Sequence, residues 1–210
     1  HYPQNWIHEN YVTKGGAPIY EHVHGAACGA WWCCNMNPGG APNGYSLYEI
    51  EGNHIANWLA KGTGEPASFQ MRVYDGNQIY GVGGKAKIKA NGDPALKNCF
   101  VAAIWNDDDT NWKVELYIDG KKAGDFQRAS SSITDICVSS FFFNRLKKNT
   151  KTWASTTANH YWYVPAPGGD PSKVRNWEVR ATQTIPGSGQ VNVYTCSSLH
   201  TDYAGFINED

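Results

Sequence analysis

The chain has 210 residues, with 18 Lys and Arg against 19 Asp and Glu and a formal charge of −1, which excludes a global attraction to nucleic acid or to an anionic membrane surface. Aromatic residues reach 13 % while charged residues stay at 18 %, with nine Trp and twelve Tyr, a balance that suits a sheet-rich protein with extended aromatic surface. No stretch approaches the roughly 20 apolar residues that span a bilayer.

The length suits one large β domain, or one domain with a piece of a second. Residues 1 to 21 read as strand, turn, strand: Trp6, Ile7, Tyr11 and Val12, then Lys14-Gly15-Gly16-Ala17-Pro18, then Ile19-Tyr20-Glu21. His22-Val23-His24 alternates, so both imidazoles point to one face of a strand. Gly25 to Ala30 carries almost no side-chain volume, which suits close approach of another backbone or a large ring, and Trp31-Trp32 supplies large rings. Pro38 to Gly44 is dense in turn residues, and Tyr45 to Ile50 is a strand running into a Gly52-Asn53 turn. The run from Trp58 to Pro66, with two Gly and a Pro, is the natural domain boundary. The expected division is therefore 1–65, a β meander, and 66–210, a unit able to stand alone.

Phe69 to Tyr74 alternates and reads as a strand, turned by Asp75-Gly76-Asn77. Gly81 to Asn98 reads as an exposed loop. Cys99 to Trp105 is a continuous apolar run, the mark of a central strand buried on both faces. Asn106 to Asn111 reads as a polar turn, Trp112 to Tyr117 as an alternating strand, and Asp119-Gly120 as a hairpin signal. In Ile133 to Leu146 the apolar positions fall roughly at helical spacing, with Ser132 or Thr134 to cap and Lys147-Lys148 at the negative end, so one short helix is expected there. Strands follow at His160 to Val164, Asn176 to Thr184 and Val191 to Thr195. The fold class is mostly β, an antiparallel β-sandwich with one short helix, preceded by a β meander.

Four groups of residues are candidates for chemistry. His22 and His24, with His1 or His8, offer zinc-type ligands beside Trp31; the plainer reading is that they are strand residues, because no Asp or Glu nearby completes a charge-balanced site. Asp107-Asp108-Asp109 lacks the glycine and distant Glu of a calcium loop, which favours a solvated turn. Trp105, Trp112, Trp162 and Trp177 offer a stacking platform for a sugar, although aromatics on strands more often fill a sandwich core. Gly81-Val82-Gly83-Gly84-Lys85 has cradle glycines without a strand-to-helix context. The six cysteines, Cys28, Cys33, Cys34, Cys99, Cys137 and Cys196, show no CxxC spacing, and buried free thiols are expected.

The combination is more specific than any single motif. AACGAWW, PNGYSLYEIEGN, W-x-x-KGTG, QMRVYDG and FVAAIWNDDDTNWKVELYIDGKKAGDF together resemble the C-terminal end of bacterial multi-domain calcineurin-like metallophosphoesterases. The resemblance implies that residues 1–65 are the last strands of a truncated α/β phosphoesterase domain and that 66–210 form its β-rich accessory domain. It implies a parent that hydrolyses phosphate esters at a two-metal centre of divalent ions, with His1 as the final His of a Gly-His-x-His motif. The other ligand motifs have no counterpart here, so the chain alone is expected to hold no metal centre and to be inactive, serving structure and substrate access. His22, His24, Trp31 and Trp32 become candidates for the rim of the active site. The partner is then the catalytic domain of the same polypeptide, with Ala26 to Trp32 as a surface for a homodimer, and the location implied is the periplasm or cell surface. Two rivals remain: a carbohydrate-binding module stacking ligands on Trp112, Trp162 or Trp177, and a small metalloprotein built on His1, His8, His22 and His24.

Overall fold

A computed structural model describes residues 6–16, 18–23, 44–52, 54–62, 64–77, 96–107, 111–128, 134–138, 153–157, 161–185 and 187–200. The strands in chain order are β1 (Trp6–Val12), β2 (Pro18–Val23), β3 (Gly44–Glu51), β4 (His54–Gly62), β5 (Met71–Asp75), β6 (Cys99–Ile104), β7 (Trp112–Ile118), β8 (Lys121–Asp125) and β9 (Gln127–Arg128). They continue as β10 (Thr134–Val138), β11 (Trp153–Thr157), β12 (Tyr161–Pro165), β13 (Trp177–Thr184) and β14 (Val191–Cys196), with two 3-10 turns between β12 and β13. All ladders between these strands are antiparallel.

Two four-stranded sheets, ordered β5-β6-β12-β9 and β14-β13-β7-β8, make the body. β6 owes its central place to CFVAAI, six apolar residues that are all buried. β13 alternates instead: Trp177, Val179, Ala181 and Gln183 are buried while Glu178, Arg180 and Thr182 are half-buried, which leaves one face for the core and one for water. The inner faces meet where Phe100 of β6 lies 4.9 Å from Trp177 of β13, centroid to centroid. Val73, Phe100, Ala102, Ile104, Leu116, Val179 and Ala181 fill the layer between the sheets, each large side chain stabilising the fold by about 1.5–3 kcal/mol. The architecture is the antiparallel sandwich expected from the strand spacing.

Turn chemistry sets the registers. Asp119 and Gly120 have φ of 50° and 74°, the double positive φ of a two-residue hairpin, and they place Ile118 opposite Lys121. Asn176 holds that turn from outside, its amide donating to the Asp119 carboxylate at 2.9 Å. At the other end of the chain, Leu199 bridges Val73 in parallel and the His200 N–H donates to the Val73 carbonyl at 2.7 Å. The segment after β14 thus crosses to the opposite sheet and straps the two layers together.

Two expectations are corrected. Thr134 to Val138, the start of the expected helix, is strand β10, paired with β11 from Thr134↔Thr157 to Val138↔Trp153. Thr134, Ile136 and Val138 are β-branched and also obey period two, so a neighbouring strand decided the outcome; residues 139–146 lie outside the described set. β4 continues into the run from Trp58 to Pro66 as far as Gly62, with Trp58 and Ala60 buried. Leu96, placed in an exposed loop by composition, is a core residue.

Candidate functional site

Three two-stranded sheets, β1-β2, β3-β4 and β10-β11, accompany the two larger ones, and the pair β3-β4 is the one whose side chains are described. The YSLYEI stretch of β3 has apolar residues at both odd and even positions, so alternation sends Tyr45 and Leu47 to one face and Tyr48 to the other. The strand is exposed: Tyr45, Leu47, Tyr48, Ile50 and, on β4, Ile55 are five of the seven large hydrophobics exposed among the described residues, with Ile50 reaching 61 %. β4 is the reverse, with Asn57, Trp58 and Ala60 buried. The hairpin therefore presents one open strand outward and anchors through the other.

The anchor is polar as well as apolar. Trp58 and Ala60 pack with Trp105 and Phe69, and Phe69 meets Trp105 edge-on at 5.2 Å. Gln70, fully buried, accepts from the Ala60 N–H at 3.0 Å and donates to the Ala60 carbonyl at 2.7 Å and the Ala67 carbonyl at 2.8 Å. Gln183 of β13 donates to the Asn57 side-chain carbonyl at 3.3 Å. Asn106, at the end of β6, donates to the Tyr194 hydroxyl at 3.3 Å, and burial pushes that phenol above its ordinary pKa.

The acidic turn is also different from its expected form. The Asp107 side chain is fully buried, paired with Arg128 at 2.7 Å and accepting from the Trp162 indole N–H at 2.7 Å. The Arg128 guanidinium lies 4.6 Å over the same indole ring. Asp107 is a structural carboxylate, not a solvated turn residue; Asp108 and Asp109 lie outside the described residues.

The other expected site residues are described only in part. His22 is on β2 opposite Ile7, and His8 on β1 is opposite Glu21. His1, His24, Trp31, Trp32, the whole Ala26 to Trp32 stretch and Gly81 to Lys85 lie outside the described residues. Trp162 and Trp177 are 8 % and 9 % exposed and belong to the sandwich core, as Trp105 belongs to the smaller cluster under the hairpin. Trp112 is half-buried and stacked on Tyr194 at 5.8 Å. Cys99 and Cys196 are free thiols, the first buried. Among the described residues no group of three or more His, Cys, Asp or Glu side chains comes together as a metal donor set, so these residues do not fit a dinuclear centre and no metal step is assigned to them. Also among them, no helix is long and apolar enough to cross a membrane.

Sequence reading missed Gln70 and Asn57, whose amides hold the hairpin, and read β3 as a strand without marking its exposure. The available signal was the parity of YSLYEI, apolar on both faces without the uniform burial of CFVAAI.

Comparison with known proteins adds one positive finding. A family model described as the C terminal of calcineurin-like phosphoesterase matches residues 21–186, from inside β2 to just past β13. No curated protein and no solved structure matches the chain.

Proposed function

The chain belongs to the calcineurin-like phosphoesterase family through its C-terminal domain, and from that membership we propose that it is the accessory part of a metal-dependent phosphate-ester hydrolase. The metal ligands of that enzyme lie in its phosphoesterase domain, and this chain contributes structure and shapes access to the site. The observation that carries the reading is the open apolar strand of β3, with Tyr45, Leu47, Tyr48 and Ile50 exposed on a hairpin whose other strand is buried. Several large apolar residues left exposed along one strand are a mark of an interaction surface. The partner favoured is the phosphoesterase domain itself.

Two measurements test this. The purified chain, given p-nitrophenyl phosphate and divalent manganese, is expected to show no metal-dependent turnover, whereas the same chain joined to its phosphoesterase domain turns the ester over. Metal-dependent turnover by the chain alone, lost in His22→Ala or His24→Ala, would overturn the assignment. Calorimetric titration of the chain against the separate phosphoesterase domain is expected to show binding, weakened about tenfold or more by Ile50→Glu, since each buried Leu or Ile side chain contributes about 1.5–3 kcal/mol and about 1.4 kcal/mol is a factor of ten. Equal affinity of wild type and Ile50→Glu would remove the hairpin from the interface.

A further inference from the structure

The hairpin that carries the apolar strand is joined to the sandwich by a side chain acting as a strand. We infer that Gln70 is a positioning residue, splicing β4 onto the edge of the β5-β6-β12-β9 sheet and so holding β3 at a set angle for its partner.

The geometry is specific. The Gln70 side-chain amide bonds both the N–H and the C=O of one residue, Ala60, at 3.0 and 2.7 Å, which is the pair of bonds that a neighbouring backbone residue would exchange in an antiparallel ladder. Its own carbonyl meanwhile accepts from the Trp105 N–H at 3.2 Å, extending the β5-β6 pairing by one residue. A single residue therefore belongs to the large sheet through its backbone and to β4 through its side chain. The third bond, to the Ala67 carbonyl at 2.8 Å, uses the second amide hydrogen and ties down the turn between β4 and β5. A buried primary amide has two donors and an acceptor to satisfy, and here all three are used on partners that are themselves backbone groups.

Apolar packing alone would not determine the angle. The cluster under the hairpin is small, with Trp58, Ala60 and Trp105 buried and Phe69 beside them, and dispersion contacts are non-directional. Directional bonds in a dry site select one arrangement, because any rotation of the hairpin leaves buried polar groups unmade. The Gln183 to Asn57 bond at 3.3 Å adds a second fixed point from the opposite sheet. With one point on each layer, β4 cannot pivot about either.

That the held surface meets the phosphoesterase domain rests on the function proposed above, and the experiment separates the two claims. Gln70→Met keeps the side-chain length and removes all three bonds, while Gln70→Asn keeps the amide but withdraws it by one methylene. Hydrogen exchange of the 210-residue chain is read at the Ala60 and Leu59 amides and, as a control, at Val179 and Ala181 in β13. The expected result is exchange faster by about tenfold or more at Ala60 and Leu59 in both variants, for the loss of a buried hydrogen bond, with β13 unchanged, and binding to the separate phosphoesterase domain weakened through a faster off-rate. Unchanged protection at Ala60 overturns the inference, as does equal loss of protection in β4 and β13, which would make Gln70 a residue of global stability. Loosened β4 amides with unchanged binding would uphold the splice and overturn the proposed docking. If Gln70→Met does not fold, Gln70→Asn carries the same reading.

Discussion

The most instructive single residues are buried carboxylates that the composition does not advertise. Asp107 is inaccessible while Arg128 keeps 26 % of its side chain in water, so the two halves of the pair are not equivalent. Removing the cation leaves a carboxylate in a dry site without its counter-charge at 2.7 Å, whereas removing the carboxylate leaves a guanidinium that already reaches solvent. Arg128→Ala is accordingly expected to cost about 3–5 kcal/mol and Asp107→Asn clearly less, as read by urea denaturation; equal costs would mean that the pair behaves as an exposed one. Two other carboxylates respond to pH in opposite senses. Bonds from Lys122 and Lys113 lower the Glu115 pKa from 4.5 to about 2, so its stabilisation is present at neutral pH and is lost as pH falls from about 4.5 through about 2. Burial, helped by the nearby Asp170 and opposed by bonds from Asn77, raises the Asp75 carboxyl. A raised pKa means the charged form is disfavoured on folding, so its contribution is favourable below the unfolded value of 3.8 and is lost as pH rises through the folded one. Asp75→Asn is therefore expected to raise the melting temperature at pH 7 and to lose that gain at pH 3, while Glu115→Gln lowers it at pH 7 and has little effect near pH 2. A thermal melt series across pH checks both signs.

At the scale of elements, the edge strand β14 is the one whose role exceeds its length. It lies beyond the residues matched by the family model, 21–186, yet it pairs with β13 along six positions from Val179↔Cys196 to Thr184↔Val191. It also places Tyr194 in the core and leads into the strap at Leu199 and His200. A chain ended at residue 186 would bare one edge of β13 and uncover Gln183 and Ala181. The expected outcome is a protein that aggregates or loses its cooperative melt, read by size-exclusion chromatography and circular dichroism; a soluble truncated chain with an unchanged melting temperature would show β14 to be dispensable. The same scale explains why β10 differs from the helix expected there. A five-residue segment with β-branched residues at alternate positions and apolar residues at roughly helical spacing satisfies both periods, and its neighbour β11 settled it. Glycines at 62 and 64 mark an end of structure without saying how far the strand runs before it, and only the burial of Trp58 and Ala60 shows that β4 is anchored there.

Over the whole molecule, the two sheets, the strap and the spliced hairpin show how local patterning becomes a surface. The β-sandwich was legible from the alternation of NWEVRATQT, the unbroken apolar run of CFVAAI and the Asp119-Gly120 turn, because period and turn type are local properties of the chain. Trp105, Trp162 and Trp177 are buried, as aromatics on the strands of a sandwich commonly are. The boundary expected near residue 65 falls in the turn between β4 and β5, and Gln70 bonds to Ala60 across it. No local pattern foretells that bond, since a glutamine in FQMRVY looks like a solvent-facing strand residue.

The sequence by itself therefore determined the family, the all-antiparallel architecture and most strand positions, through short-range periodicity, turn chemistry and a long composite of motifs. Tertiary structure alone decided which polar residues are buried. Asp107, Gln70, Asn57 and Asn106 are hydrophilic in any local window, and each is carried inside by the assembly of the strands, which supplies its hydrogen-bond partners from other elements and turns. It also decided which apolar strand stays outside, because β3 is exposed only by where β4 is held. The physical reason is the same in both cases. Burial and hydrogen-bond satisfaction are properties of pairs of distant residues, whereas a sequence window reports only neighbours.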